Sequence, residues 1–336
     1  MIGRAALFFA LLAFTASNCG AGLNPVALRK AADYSRAHAG LSMLVIQNGE
    51  TLLEQYSEGA TPDTALRIYS GTKAFWNLAG LAAAEDGLLN LDEPVANTIP
   101  SWRSDARKSR ITIRQLLDFD SGLEAKSMLH EFENGDRDQI AIRANVVAEP
   151  GRAFIYGPAA LQVFHRVLKR KLRGESPTHF LERRVLRRLG LGPQRYLRDR
   201  VGNPLLASGF VLTAREWAKM GEMVLRGGAP VVSKSSLDEC WRGTAANPMF
   251  AFGWWNNHAA PFGYDVDVER MLDRDWSAAD WSHACLCRDA PSDLVACIGS
   301  GHQRLYVIPS LRLIVVREAD GGSFSDATFL RLLLHR

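Results

Sequence analysis

Hydrophobic and polar positions alternate with two different periods along this chain, and the period changes divide it into elements. Residues 25 to 38 carry the pattern of an amphipathic helix. Leu41-Ser42-Met43-Leu44-Val45-Ile46-Gln47 and Thr51-Leu52-Leu53-Glu54-Gln55-Tyr56 read as strands flanking Asn48-Gly49, a dipeptide that favours a tight hairpin. A short strand-like run, Ala65-Leu66-Arg67-Ile68-Tyr69, leads into a helical run from Phe75 to Ala84 that stops near Asp86-Gly87, where glycine suits the position after the last turn. The middle of the chain is mostly helical. Pro94 and Pro100 punctuate a loop, Thr112-Ile113-Arg114-Gln115 is a capping box, and Ser121-Gly122 ends its helix. Glu149-Pro150-Gly151 is a turn before Ala153-Phe154-Ile155-Tyr156. Pro158 then suits the first turn of a helix with Leu161, Phe164, Leu168 and Leu172 as its apolar stripe. Arg183, Arg184, Arg187 and Arg188 read as a solvated helix face, with an anionic partner surface as the alternative.

Thr213-Ala214-Arg215-Glu216 is a second capping box, for a helix ending at Gly227-Gly228. Beyond it the pattern turns strand-like. Ala251-Phe252-Gly253-Trp254-Trp255 is one candidate strand, and Asp293 to Ile298 another, leading into Gly299-Ser300-Gly301. Leu305 to Ile308 and Leu311 to Val316 form a hairpin about Pro309-Ser310, and Ser323 to Leu334 closes the chain as a helix. Strands at both ends with helices between predict one antiparallel sheet built from both termini, with a helical lobe inserted.

Composition narrows the class. The chain has 336 residues, 47% hydrophobic and 23% charged, enough for a sizeable core. A net charge of +4 gives no reason to expect a nucleic-acid partner. Arg4 before the apolar run Ala5 to Ala13 reads as a secretory leader, too short for a stable span, with cleavage expected after Ala21. A lipid on Cys19 and a buried first helix are the alternatives; no later segment is apolar enough to span a bilayer. The expected destination is the periplasm or the exterior, where Cys240, Cys285, Cys287 and Cys297 are candidates for pairing. Cys285-Leu286-Cys287 is only a loose metal pattern, with no second ligand pair to complete it.

The candidate chemistry begins at Ser70-Gly71-Thr72-Lys73. Residues three apart share a helix face, so the Ser70 hydroxyl and the Lys73 amine stand side by side at a helix start, where free backbone N–H groups are also available. A hydroxyl needs a base to become a nucleophile, and a neutral lysine can supply one. Taken alone, a serine at this place is ordinarily an N-cap.

The order of the motifs carries more. The hairpin Leu41 to Tyr56, Ser70 to Lys73, Gly87-Leu88-Leu89-Asn90-Leu91-Asp92-Glu93-Pro94-Val95, Ile111 to Leu117 with Ser121-Gly122-Leu123, Glu149 to Tyr156, Phe252 to Trp255, and Gly299-Ser300-Gly301-His302-Gln303 to Pro309 follow one another along nearly all of the chain after the leader. In this order the chain resembles the serine hydrolases of the beta-lactamase and penicillin-recognising fold. Its closest look is to the branch of class C beta-lactamases, esterases and 6-aminohexanoate-oligomer hydrolases. The resemblance implies an α/β (α+β) fold as one domain over residues 22–336, after a leader over 1–21. Its α/β lobe would come from about 22–69 and 205–336, and its helical lobe from about 70–204. It implies Ser70 as the acylated nucleophile, with Lys73 and Tyr156 sharing the proton work. Lysine and tyrosine both titrate near ~10 in water; burial lowers the first, a nearby cation lowers the second, and the two would titrate as a unit. Without the resemblance Tyr156 reads as a core residue whose hydroxyl is satisfied locally. The oxyanion donors would be the N–H of Ser70 and the N–H of Ser300, or of Gly301 or His302 if the alignment shifts.

Two departures bear on substrate. The second motif is often Tyr-x-Asn, and here it is Tyr156-Gly157-Pro158. The third often begins with Lys or His, and here it is Cys297-Ile298-Gly299. The cation that holds a beta-lactam carboxylate is therefore missing unless His302 or Arg304 replaces it. Phe250, Phe252, Trp254 and Trp255 either wall the pocket or alternate into the core. The reading is an exported serine hydrolase of a small-molecule carboxylic ester or amide, with no metal or organic cofactor. The alternatives are a beta-lactam- or peptidoglycan-directed enzyme and an inactive binding protein on the same fold.

Overall fold

In the computed structural model, residues 22–131 and 135–334 are described. The expected leader, residues 1–21 with Cys19 and its cleavage point, lies outside them. Asn24 opens helix α1 (Pro25–Ala37): its side chain accepts the Val26 N–H, and Pro25 takes a first-turn position where no N–H is needed. Strands β1 (Gly40–Gln47) and β2 (Glu50–Tyr56) follow. Asn48 and Gly49 join them with both φ angles positive, 54° and 85°, the backbone of a two-residue hairpin turn.

A short strand β3 (Leu66–Arg67) precedes helix α2 (Thr72–Glu85). Every residue of α2 from Thr72 to Ala83 is buried, the polar Lys73 and Asn77 among them. It stops in a glycine cap. Gly87 sits at φ 69°, Leu88 N–H donates to Ala83 O and Gly87 N–H donates to Ala84 O. Helices α3 (Ile113–Leu117), α4 (Arg137–Ile142), α5 (Pro158–Lys171) and α6 (Pro177–Leu181) build the helical part. The capping box of α3 forms as its sequence predicts, Thr112 with Gln115.

Strand β4 (Val211–Leu212) pairs with β3 and leads to α7 (Ala214–Leu225), started by the second capping box, Thr213 with Glu216. After α8 (Lys234–Asp238) come β5 (Phe250–Ala251), β6 (Trp254–Asn256), β7 (Tyr264–Asp265), α9 (Val268–Leu272) and β8 (Ala284–Cys285). The chain closes with β9 (Val295–Gly299), β10 (Gln303–Ile308), β11 (Leu313–Ala319) and α10 (Asp326–Leu334).

One seven-stranded antiparallel sheet, ordered β2-β1-β11-β10-β9-β6-β5, joins the two ends of the chain, as the strand pattern predicts. Alternation along β10 and β11 sends Tyr306 to one face, stacked on Phe329 of α10, and Ile314 to the other, against Gly221 of α7. Helices α1 and α10 pack on the first face and α7 on the second. The core runs without a break from sheet to helices and takes in Phe75, Phe164, Trp217 and Tyr306. Among the described residues no helix is long and apolar enough to cross a membrane.

Three expectations change. The aromatic run 251–255 is two strands, β5 and β6, folded on each other through Phe252 (φ 47°) and Gly253 (φ 82°). Gly253 is required there, because a Cβ would lie 2.8 Å from Ala74 N. The arginine run is not all solvated. The helical segment after α6 widens to a π-turn over Glu182–Leu186 and turns Arg184 inward, where it forks onto Asp86 at 3.0–3.1 Å and donates to Val231 O at 2.7 Å. Cys240, Cys285, Cys287 and Cys297 are all free thiols, each buried in place, so none of the contemplated disulfides forms among them.

Candidate active site

Ser70 lies in a single 3₁₀ turn, Tyr69–Gly71, and α2 proper begins two residues later. The turn is entered through Tyr69 at φ 43°, a left-handed conformation that costs a bulky residue on the order of 1–2 kcal/mol. Gly71 N–H donates back to Ile68 O at 2.9 Å. Turn and helix run on into each other, so the three-residue spacing still brings Lys73 onto Ser70. Lys73 Nζ donates to Ser70 Oγ at 2.7 Å and to the Ala207 carbonyl at 2.9 Å.

Lys73 is 1% exposed and has no carboxylate partner among the described residues. Burial penalises its ammonium and lowers its pKa to about 7. Tyr156 behaves differently. Its hydroxyl hydrogen-bonds Ser70, and Lys73 Nζ stands 4.6 Å from its ring centroid, yet burial pushes the phenol above its ordinary value. Burial thus moves the two groups in opposite directions, the amine down and the phenol up. The ring is held by Phe119, Phe154, Phe250 and Trp255, with centroids 5.1–6.2 Å away.

Ser300 stands on the three-residue loop between β9 and β10 and lines the same cavity as Ser70 and Tyr156, a cleft of about 450 Å³. The strand before it runs very close to the nucleophile's turn. A Cβ on Gly299 would lie 2.1 Å from Ile68 O, so only glycine fits. The N–H groups of the two alternative donors already have partners. Gly301 N–H donates to Glu269 Oε2 and His302 N–H to Glu269 Oε1, both at 3.0 Å. Of the three candidates, Ser300 is the one that faces the cleft.

Neither substitute cation is available. Arg304 is fully buried, with Nε and Nη2 on Asp326 at 2.7 and 3.1 Å and Nη1 on Glu269 at 3.0 Å. The His302 ring lies against Glu269 on one nitrogen and Gly322 O on the other, each at 3.1 Å. Cys297 is fully buried in β9, with its thiol pushed up by desolvation, while its neighbour Ile298 lines the cleft. Pro158 takes the first turn of α5 and brings no amide, and the Ala207 carbonyl holds Lys73 instead. The aromatics divide: Trp255 lines the cleft and Phe250 backs Tyr156, while Trp254 turns away onto Trp241 and Phe252 makes the turn.

Sequence reasoning missed Glu269, Asp273, Ser127, His130 and Ser208, which also line the cleft. None sits in a recognisable local pattern. Glu269 comes from the five-residue helix α9; burial would raise its carboxyl, but His302 and Arg304 beside it hold it down at about 2.

The arrangement is one that acyl transfer can use: a hydroxyl in contact with a buried amine of lowered pKa and beside a phenol, with Ser300 lining the same cleft. Comparison with known proteins places the fold. The Staphylococcus aureus protein flp is 35% identical over 102 residues, a match covering 27% of this chain and 20% of that protein. Among solved structures, the class C beta lactamase of Rhodobacter sphaeroides superposes with a TM-score of 0.64 at 20% identity, covering 91% of this chain and 97% of that one. EstCE1, a hydrolase with promiscuous acyltransferase activity, does so with a TM-score of 0.67 at 18% identity, covering 91% and 96%. At those identities the superpositions establish the shared fold. The family model for beta-lactamase matches residues 26–320, which contain the sheet, the serine turn and the loop of Ser300. The chain belongs to the beta-lactamase family, a family of serine hydrolases.

Proposed function

We propose that this chain hydrolyses a carboxylic ester or amide through an acyl-enzyme on Ser70. The observation that carries the reading is the 2.7 Å contact of Ser70 Oγ with a buried amine whose pKa has fallen to about 7. Lys73 takes the hydroxyl proton as Oγ attacks the carbonyl carbon. The oxyanion is met by the Ser70 and Ser300 N–H groups. The proton then passes by way of Lys73 and the Tyr156 hydroxyl to the leaving atom, and a water repeats the cycle on the acyl-enzyme. The test is labelling by a fluorophosphonate, read by intact mass. Wild type gains one adduct and Ser70→Ala gains none while remaining folded. Equal labelling of the two, or none of wild type, removes the assignment, and the second result would favour an inactive binding protein.

Among the described residues the lining of the cleft holds no lysine or arginine, and it includes the Glu269 carboxylate. Uncharged acyl groups are therefore favoured over beta-lactams. A short-chain p-nitrophenyl ester should exceed a chromogenic cephalosporin in kcat/KM on the same preparation. A cephalosporin faster by tenfold, about 1.4 kcal/mol of transition-state preference, would refute this. Amide oligomers with an uncharged acyl side are the alternative natural substrate. Arg4 and the apolar run Ala5–Ala13 support export to the periplasm or beyond. N-terminal sequencing of envelope protein should find the first ~21 residues missing, and a cytoplasmic protein starting at Met1 would exclude export.

A further inference from the structure

We infer that Glu269 is a positioning residue for the oxyanion site, setting the Ser300–His302 loop so that the Ser300 N–H faces the carbonyl being attacked. The inference rests on Ser70 being the nucleophile and concerns a residue outside every motif read from the sequence.

The loop is the tight connection between β9 and β10, closed by the pairing of Gly299 with Gln303. Gly301 and His302 both adopt positive φ, 71° and 63°. Successive residues of this kind point their N–H groups the same way and form a concavity that prefers an anion. Glu269 fills it, one carboxylate oxygen to each N–H at 3.0 Å. Arg304 holds the same loop from its carbonyl side, donating to Gly299 O and Gln303 O at 3.1 Å each. It also donates to Glu269 at 3.0 Å, so the two grips are tied together. Asp326 locks the guanidinium from behind.

Two consequences follow. The N–H groups of Gly301 and His302 are withdrawn from the cleft, and the loop is held at the height where Ser300 joins its lining. Arg304 also offsets the Glu269 charge, without which a carboxylate on this wall would oppose the oxyanion forming beside it. The clamp assembles α9, the β9–β10 loop, β10 and α10. It explains why an ionised carboxylate stands in the wall of a site built to receive negative charge.

Glu269→Gln preserves the shape and removes the charge. Its amide can accept from only one of the two N–H groups while its NH₂ opposes the other. The expected result is a fall in kcat on the order of 10²-fold, the typical effect of losing an oxyanion donor, with KM within threefold of wild type. Affinity for an aryl boronic acid, which mimics the tetrahedral state, should fall in parallel with kcat/KM. Amide exchange at Gly301 and His302 should accelerate while exchange in β10 and β11 stays slow. Glu269→Asp keeps the charge with a shorter reach and should lie between the two in all three readings, which serves if the glutamine variant does not fold. Wild-type kcat in Glu269→Gln overturns the inference, as does a loss confined to KM or unchanged exchange at both amides. Absence of fluorophosphonate labelling in wild type is a different result: it sinks Ser70 as nucleophile, and the inference with it.

Discussion

Lys73 shows how much one buried side chain contributes before any substrate arrives. No carboxylate among the described residues offsets its desolvation, so the neutral amine is available near pH 7, and the neutral amine is the form that accepts the Ser70 proton. The direction of the pH dependence follows. Acylation should be lost as pH falls through about 7, tenfold per unit below it, and level off above. A pre-steady-state profile of acylation between pH 5.5 and 9 measures this. A rate flat down to pH 5.5 would mean that Lys73 is not the base. Lys73→Met and Tyr156→Phe should each cost well over ~10²-fold in kcat/KM, and the double variant should be little worse than either, because all three groups share one hydrogen-bonded cluster. Additive losses would show separate roles. At this scale the spacing predicted that Ser70 and Lys73 meet, because they sit on one turn. Tyr156 and Ser300 needed the resemblance. Glu269 was invisible, because its meaning depends on a loop more than thirty residues away.

The elements that were legible are those whose signals are local. The capping boxes at Thr112 and Thr213, the Asn48-Gly49 turn and the Gly87 cap each satisfy their own backbone groups, so neighbouring residues suffice to specify them. The β5–β6 hairpin was not legible because a phenylalanine, Phe252, occupies a left-handed turn position and masked the break in an aromatic run. Arg184 was misread for a related reason. Sequence spacing places arginines on a helix, but which of them turns inward is decided by Asp86 on another helix's cap. The contact between β9 and the serine turn is likewise tertiary, and it makes Gly299 testable. Gly299→Ala places a methyl against Ile68 O, so β9 must retreat from Ser70. Overpacking of this kind costs roughly 1–3 kcal/mol. Chemical denaturation should show that loss, with kcat falling further than stability alone explains. An alanine variant with wild-type kcat would mean that β9 does not set the distance between Ser300 and Ser70.

At the scale of the whole molecule, the sheet ties residues near the start of the chain to residues near its end. β1 pairs with β11 along its length, and Ser42 lies opposite Glu318 across 276 residues of sequence. Strand patterning predicted one sheet from both ends of the chain, but not this pairing or the acid within it. Glu318 is fully buried, accepts the Ser42 hydroxyl at 2.6 Å through one oxygen and has no partner among the described residues on the other. Burial, with Glu216 nearby, raises its carboxyl to about 8, against 4.5 in an exposed chain. The folded state therefore prefers the protonated acid. Its contribution is fully present below pH 4.5 and is eroded as pH rises through about 8, because the unfolded chain gives up the proton first. Glu318→Gln carries no proton and keeps an acceptor for Ser42. The difference in unfolding free energy between variant and wild type should grow in favour of the variant from pH 5 to pH 8, reaching on the order of 3 kcal/mol. Urea denaturation of both proteins across that range tests it. A difference that stays constant with pH would mean that Glu318 ionises normally in the fold, and that water or a shift of β1 reaches its unpartnered oxygen.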